Sequence, residues 1–104
     1  MPTKFLIATD SQKVLTPTKN QLTGFLQGRG WEVWHWIDDL WLIVGPMNAT
    51  ARTITKEIEA AMPDLAKGRF VVFQVEGVPA YFGRGPKEAW EWMKSHWGPP
   101  SGRV

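Results

Sequence analysis

The residues of this sequence best suited to chemistry are Asp10, the Asp38-Asp39 pair, His35, His96 and the turn Gly83-Arg84-Gly85. Asp10 closes an apolar run that begins at Phe5. A carboxylate in that place suits Mg²⁺, a hard cation that prefers carboxylate and water oxygens. Such an ion would stabilise the charge that develops at a phosphodiester. The plainer role is an Asp that caps its loop through Ser11. Lys13 follows closely enough to touch a phosphate, although a single lysine usually just solvates. Asp38-Asp39 resembles a carboxylate pair, but a two-residue hairpin turn explains both residues. His35 alternates with Val33 and Ile37 and fits a hydrogen-bonded core group better than a base. His96, four residues after Trp92, fits the surface. No second His or acid stands at a recognisable metal-ligand spacing. Gly83-Arg84-Gly85 precedes a helical pattern, where a helix N-terminus can take an anion. It lacks the glycine spacing of a nucleotide loop, so a turn suffices.

Tryptophan is the compositional anomaly. There are seven, against one Tyr and five Phe, in 104 residues. Each can bury roughly 150–250 Å², so a few would supply much of a small core. Trp34 and Trp36 share one face of an alternating segment and are candidates for stacking on nucleobases. The glycine, aromatic and basic signature of RNA-recognition domains is missing from residues 69–76. Cysteine is absent, which excludes disulfides, thiolate catalysis and cysteine metal sites. Net charge is +2 with no basic run, so nucleic acid is permitted as a partner but not indicated by charge. The apolar stretch near the N-terminus is too short for a signal-peptide core or a membrane span. A cytoplasmic location and no membrane partner are the expectation. The length fits one domain, with a core over about residues 3–97 and a flexible tail over 98–104.

These groups need elements to hold them. Residues 4–9 form a short apolar strand that ends at Asp10. Thr16-Pro17 suits the N-cap and first position of a helix. Leu22, Phe25 and Leu26 then repeat at helical spacing until Gly28 and Gly30. Residues 31–37 and 40–44 are strands joined by Asp38-Asp39 into a hairpin. Leu40, Leu42 and Val44 share one face of the second strand, with Trp41 and Ile43 on the other. Asn48 or Thr50 can cap a helix striped by Ala51, Ile54, Ile58 and Met62 and closed by Pro63-Asp64. Residues 69–76 form a fourth strand, and 78–85 a short fifth strand or an extended connector. A last helix over residues 86–96 carries the stripe Ala89, Trp90, Met93 and Trp97.

The order predicts an α+β domain, a ferredoxin-like βαββαβ sandwich with a four-stranded antiparallel sheet and an extra C-terminal helix. Two helices would cover one face of the sheet. The other face carries bulky apolar groups that need a cover. The C-terminal helix, a second copy of the chain or nucleobases would each serve.

KFLIATD resembles the first strand of the small CRISPR-associated nuclease family and of the related VapD toxins. WEVWHWIDDLWLIVG, a short amphipathic helix, GRFVVFQVEG and YFGRGPKEAWEWMKSHW are together similar to the SinR-like proteins of the same fold. The likeness spans most of residues 5–97. It implies a homodimer whose sheets face one another, with the strand-end Asp of each protomer, here Asp10, helping to bind a divalent metal. It implies metal-dependent cleavage of RNA or DNA, or a scaffolding role on duplex DNA. This chain has Thr9 where the family pattern has an aromatic before the Asp. Two expectations follow. One is a nucleic-acid-associated dimer, with Asp10 holding Mg²⁺ and Lys13, Trp34 and Trp36 touching nucleic acid. The other is a non-catalytic protein-interaction module that uses a tryptophan-rich surface.

Overall fold

The computed structural model describes residues 3–10, 14–46, 48–76 and 86–97. The elements are β1 (Thr3–Thr9), α1 (Thr16–Gly28), β2 (Glu32–Ile37), β3 (Leu40–Gly45), α2 (Ala51–Ala61), α3 (Pro63–Gly68), β4 (Phe70–Val75) and α4 (Lys87–His96). The strands lie in the order β2-β3-β1-β4. Every neighbouring pair is antiparallel. This is the ferredoxin-like βαββαβ topology with an added C-terminal helix. Among the described residues, no helix is long and apolar enough to cross a membrane. The connector expected over 78–85 and the tail over 98–104 lie outside the described residues.

Period-two alternation sends the strands into two separate cores. Phe5 and Ile7 of β1 and Trp41 and Ile43 of β3 face the first core. There they meet Leu22 and Leu26 of α1, Ile54 and Ile58 of α2, and Leu65 of α3. All nine are completely buried, and each aliphatic side chain so buried is worth about 1.5–3 kcal/mol. Leu6, Trp34, Leu40, Leu42 and Val44 belong to the second core, under α4. The ring of Phe5 passes over Gly45, where a Cβ would stand 3.3 Å from it. That close approach explains a glycine at the end of β3.

Two helix boundaries differ from expectation. α1 begins at Thr16 rather than after it, with Leu15 at the N-cap and no side-chain cap bond. Pro17 has no N–H to satisfy, so less is asked of a cap there. The helix over 51–61 stops, but Pro63 then opens the short α3. Proline cannot continue a hydrogen-bonded helix, yet it suits a first turn. Thr50, and not Asn48, caps α2: the Thr53 N–H donates to Thr50 Oγ1 at 3.1 Å, and the Thr50 N–H donates to Thr53 Oγ1 at 2.8 Å. This is a reciprocal capping box.

Candidate binding face and the Asp10 end of the sheet

α4 lies on the sheet face opposite α1 and α2, so the C-terminal helix is a cover for that face. Its spacing puts Ala89, Met93 and Trp97 inward, all buried, with Trp90 half-buried beside them. Trp92 stacks between Trp34 of β2, at 6.2 Å between ring centroids, and His96, at 4.6 Å. His96 Nε2 stands 3.2 Å from Glu32 Oε1. These contacts seat α4 over the β2–β3 half of the sheet. The indole N–H groups of Trp34 and Trp97 are buried there with no hydrogen-bond partner among the described residues.

Among the described residues, no element covers the β4 side of that face. β1 and β4 present Ala8, Val71 and Phe73 on it, by alternation with the first-core residues Ile7, Phe70 and Val72, while Leu6 and Val75 on the same face pack against the second core. Val71 is 45% exposed and Phe73 53% exposed. Leu15 is the other large exposed apolar residue among those described. β4 is an edge strand, and Phe70–Val75 holds no charge, no proline and no bulge. The opposite edge is guarded: β2 carries a register shift between Trp34 and Ile37 and has α1 and α4 against it.

At the end of β1, the Asp10 N–H donates to the Arg69 carbonyl at 3.3 Å, and the Asp10 carbonyl accepts from the Val14 N–H at 2.9 Å. The Asp10 carboxylate is one-third exposed and lies 3.9 Å from the Arg69 guanidinium. Asp10 and Arg69 line a shallow recess with Ala8, Thr9, Phe70 and Val71. Arg69 has φ 91°, a backbone that a side chain other than glycine adopts only at a cost of about 1–3 kcal/mol. The Asp10 backbone is therefore tied to Arg69 and Val14, and its carboxylate pairs with the Arg69 guanidinium. Among the described residues, no group of three His, Cys, Asp or Glu could hold a metal ion. One carboxylate already facing a guanidinium does not fit a Mg²⁺ site within a single chain.

The other sequence candidates lie apart from Asp10. Trp34 is on β2, at the far edge of the sheet, under α4. Trp36 also lies in β2. Lys13 and Gly83-Arg84-Gly85 fall outside the described residues. Asp38-Asp39 makes the hairpin turn, and both carboxylates serve a lysine that pattern alone did not single out. Lys19 Nζ lies 2.8 Å from Asp38 Oδ2 and 2.8 Å from Asp39 Oδ1. Thr9 Oγ1 donates to the same Asp39 oxygen at 2.9 Å. Lys19 is only 4% exposed. The hydrogen bonds that it donates to Asp38 and then Asp39 raise its pKa above the ordinary 10.5. The signal was present, since Lys19, Leu22 and Leu26 fall on one helical stripe.

His35 is a satisfied structural group. Its Nε2 lies 2.7 Å from the Asp38 carbonyl, which can only accept, so Nε2 carries the proton. Nδ1 stands 3.3 Å from Thr23 Oγ1, which also accepts from the Trp41 indole at 2.9 Å. The imidazole stacks on Trp41 at 4.1 Å. A ring engaged at both nitrogens and on one face is poorly placed to act as a base.

No protein-family model matches the chain, and no curated protein and no solved structure matches it. Fold and site define the class: a ferredoxin-like α+β domain whose described helices pack on both faces of the sheet and leave Val71 and Phe73 of β4 exposed.

Proposed function

We propose that the chain is a non-catalytic protein-interaction module that docks its partner along β4, where the α4-side sheet face is exposed. One observation carries this: Val71 and Phe73 stand exposed, side by side, on an uncharged edge strand. Large side chains left in water on an unpaired strand are the usual mark of a surface that is covered in the working state. Trp34, Trp92 and Trp97 serve this surface indirectly, by holding α4 over the β2–β3 half. Phe73→Lys is the test, because Phe73 is not part of either core. It should leave thermal melting nearly unchanged and abolish partner association in co-purification and in sedimentation. Association that survives both Phe73→Lys and Val71→Lys would sink the proposal.

A second function is favoured by a different observation: the exposed Arg69 guanidinium, 74% accessible, sits on a strained backbone next to the Asp10 carboxylate. Strain beside a charged pair is a pointer to function. It supports a nucleic-acid-associated homodimer of the kind that the resemblance implies, with a second Asp10 needed to complete any cation site. The test is cleavage of single- and double-stranded RNA and DNA with Mg²⁺ or Mn²⁺, stopped by chelator. Asp10→Asn should abolish it, and Arg69→Gly should remove the guanidinium while relieving the backbone. Activity that survives Asp10→Asn belongs to a contaminant. A cytoplasmic location is part of both proposals.

A further inference from the structure

We infer that the partner on β4 is a second copy of this chain, paired edge to edge and antiparallel about Val72. The inference rests on the interaction-module proposal and names its partner. Among the described residues β4 has one neighbour, β1, in the register Ala8 with Val71 and Leu6 with Phe73. The Asp10 N–H donates to the Arg69 carbonyl, so Arg69 turns its peptide groups toward β1. Peptide groups alternate along a strand. Val71, Phe73 and Val75 therefore also bond inward, and Phe70, Val72 and Gln74 present N–H and C=O to the outside.

A two-fold axis perpendicular to the sheet keeps each copy's faces on the same side, so paired residue numbers must sum to an even value. Centred on Val72, the outward groups meet one another: Val72 pairs with Val72 of the copy, and Phe70 with Gln74. The same register sets Val71 opposite Phe73 of the copy, and Phe73 opposite Val71. The two exposed apolar side chains of the strand thus become each other's cross-strand partners, in the non-hydrogen-bonded positions where Cα atoms come within about 4.5 Å. Aromatic against β-branched is a favourable pairing on a sheet. The residues that meet in this ladder carry no charge, so nothing repels. One patch that is complementary to itself is the requirement of a closed two-fold dimer.

The product is a continuous sheet of eight strands, four from each copy. Both α4 helices lie on one side and both α1–α2 layers on the other. The two Asp10 residues are then held apart. Each lies level with its own Arg69, six residues along the seam from its counterpart, or about 20 Å. This dimer is distinct from one in which the two carboxylates converge. A seam of one strand edge is at the small end of specific interfaces, so the dimer should dissociate on dilution.

Two measurements test the inference on the full chain. In sedimentation over a concentration series, the wild type should pass from monomer to dimer, and Phe73→Lys should stay monomeric with unchanged melting. The absence of cysteine makes the second measurement clean. Val71→Cys and Phe73→Cys proteins, oxidised separately, should stay uncross-linked, because each thiol faces the wrong residue of its twin. Mixed in equal amounts before oxidation, they should form a disulfide-linked dimer. Cross-linking by Phe73→Cys alone would overturn the register, and a dimer indifferent to Phe73→Lys would overturn the seam. A wild type that stays monomeric, yet loses a co-purifying protein on Phe73→Lys, would overturn self-pairing while the module proposal stands. A wild type that neither dimerises nor has a Phe73-dependent partner would sink both.

Discussion

Lys19 puts an ammonium group on the same helical stripe as the methyl groups of Leu22 and Leu26. It is tolerated because the hairpin turn delivers two carboxylates to it. An unpaired buried ammonium would be costly, and the pairing offsets that cost. Because the carboxylates raise its pKa in the folded state, folding favours the protonated form. The resulting stabilisation is fully present below the unfolded value of 10.5 and is lost as pH rises through the raised folded value. Denaturant melting should therefore weaken in the alkaline range above 10.5. Lys19→Met should be less stable than wild type at neutral pH, because two carboxylates then face each other without a cation. It should also lose that alkaline component. An identical alkaline profile in the variant would assign the effect to other groups.

At the scale of elements, α4 is held by a stripe of unequal members. Trp97 is 4% exposed, whereas Trp90 is only half-buried. Trp97→Ala should cost about 3–5 kcal/mol, as large core truncations do. Trp90→Ala should cost clearly less, and equal losses in urea melting would show that the helix is seated differently. α1 offers the opposite kind of change. Gly24 lies inside the helix with nothing within 4 Å of where a Cβ would stand. Gly24→Ala should raise stability by about 1 kcal/mol, because alanine loses less backbone entropy on forming a helix. A fall in melting temperature would mean that the glycine is needed for something that packs on that face.

Over the whole molecule, protection from water is graded across the sheet. β1 and β3 are central, each with a strand on both sides. The α1–α2 layer covers one face of both strands, and α4 covers the other face of β3. Their amides should exchange with deuterium only through global unfolding. β4 should divide: Val71 and Phe73, bonded to β1, should exchange slowly. Phe70, Val72 and Gln74 should exchange fast in dilute protein and slow down as concentration rises. Fast exchange of Phe70, Val72 and Gln74 at all concentrations would show that the edge is unpaired in solution.

Period-two and helical spacing carried the element order, the hairpin turn at Asp38-Asp39 and the division of the strands between two cores. These are local properties, because alternation alone states which side chains must leave water. The strand-end position of Asp10 and the stripe Ala89, Met93, Trp97 were legible for the same reason. What each stripe packs against was not. The choice of the β2–β3 half by α4 depends on Trp34, Trp92, His96 and Glu32 meeting across long stretches of chain. The partnerships of Asp10 with Arg69 and of Lys19 with the turn arise in the same way, from strands and helices that become neighbours only in the folded sheet. The exposed pair on β4 followed from that choice. Val71 and Phe73 carry the alternation of any buried strand, and they stand in water because α4 reached the other half of the face. Sequence specifies that a surface is apolar, and only the tertiary arrangement decides whether something within the chain arrives to cover it.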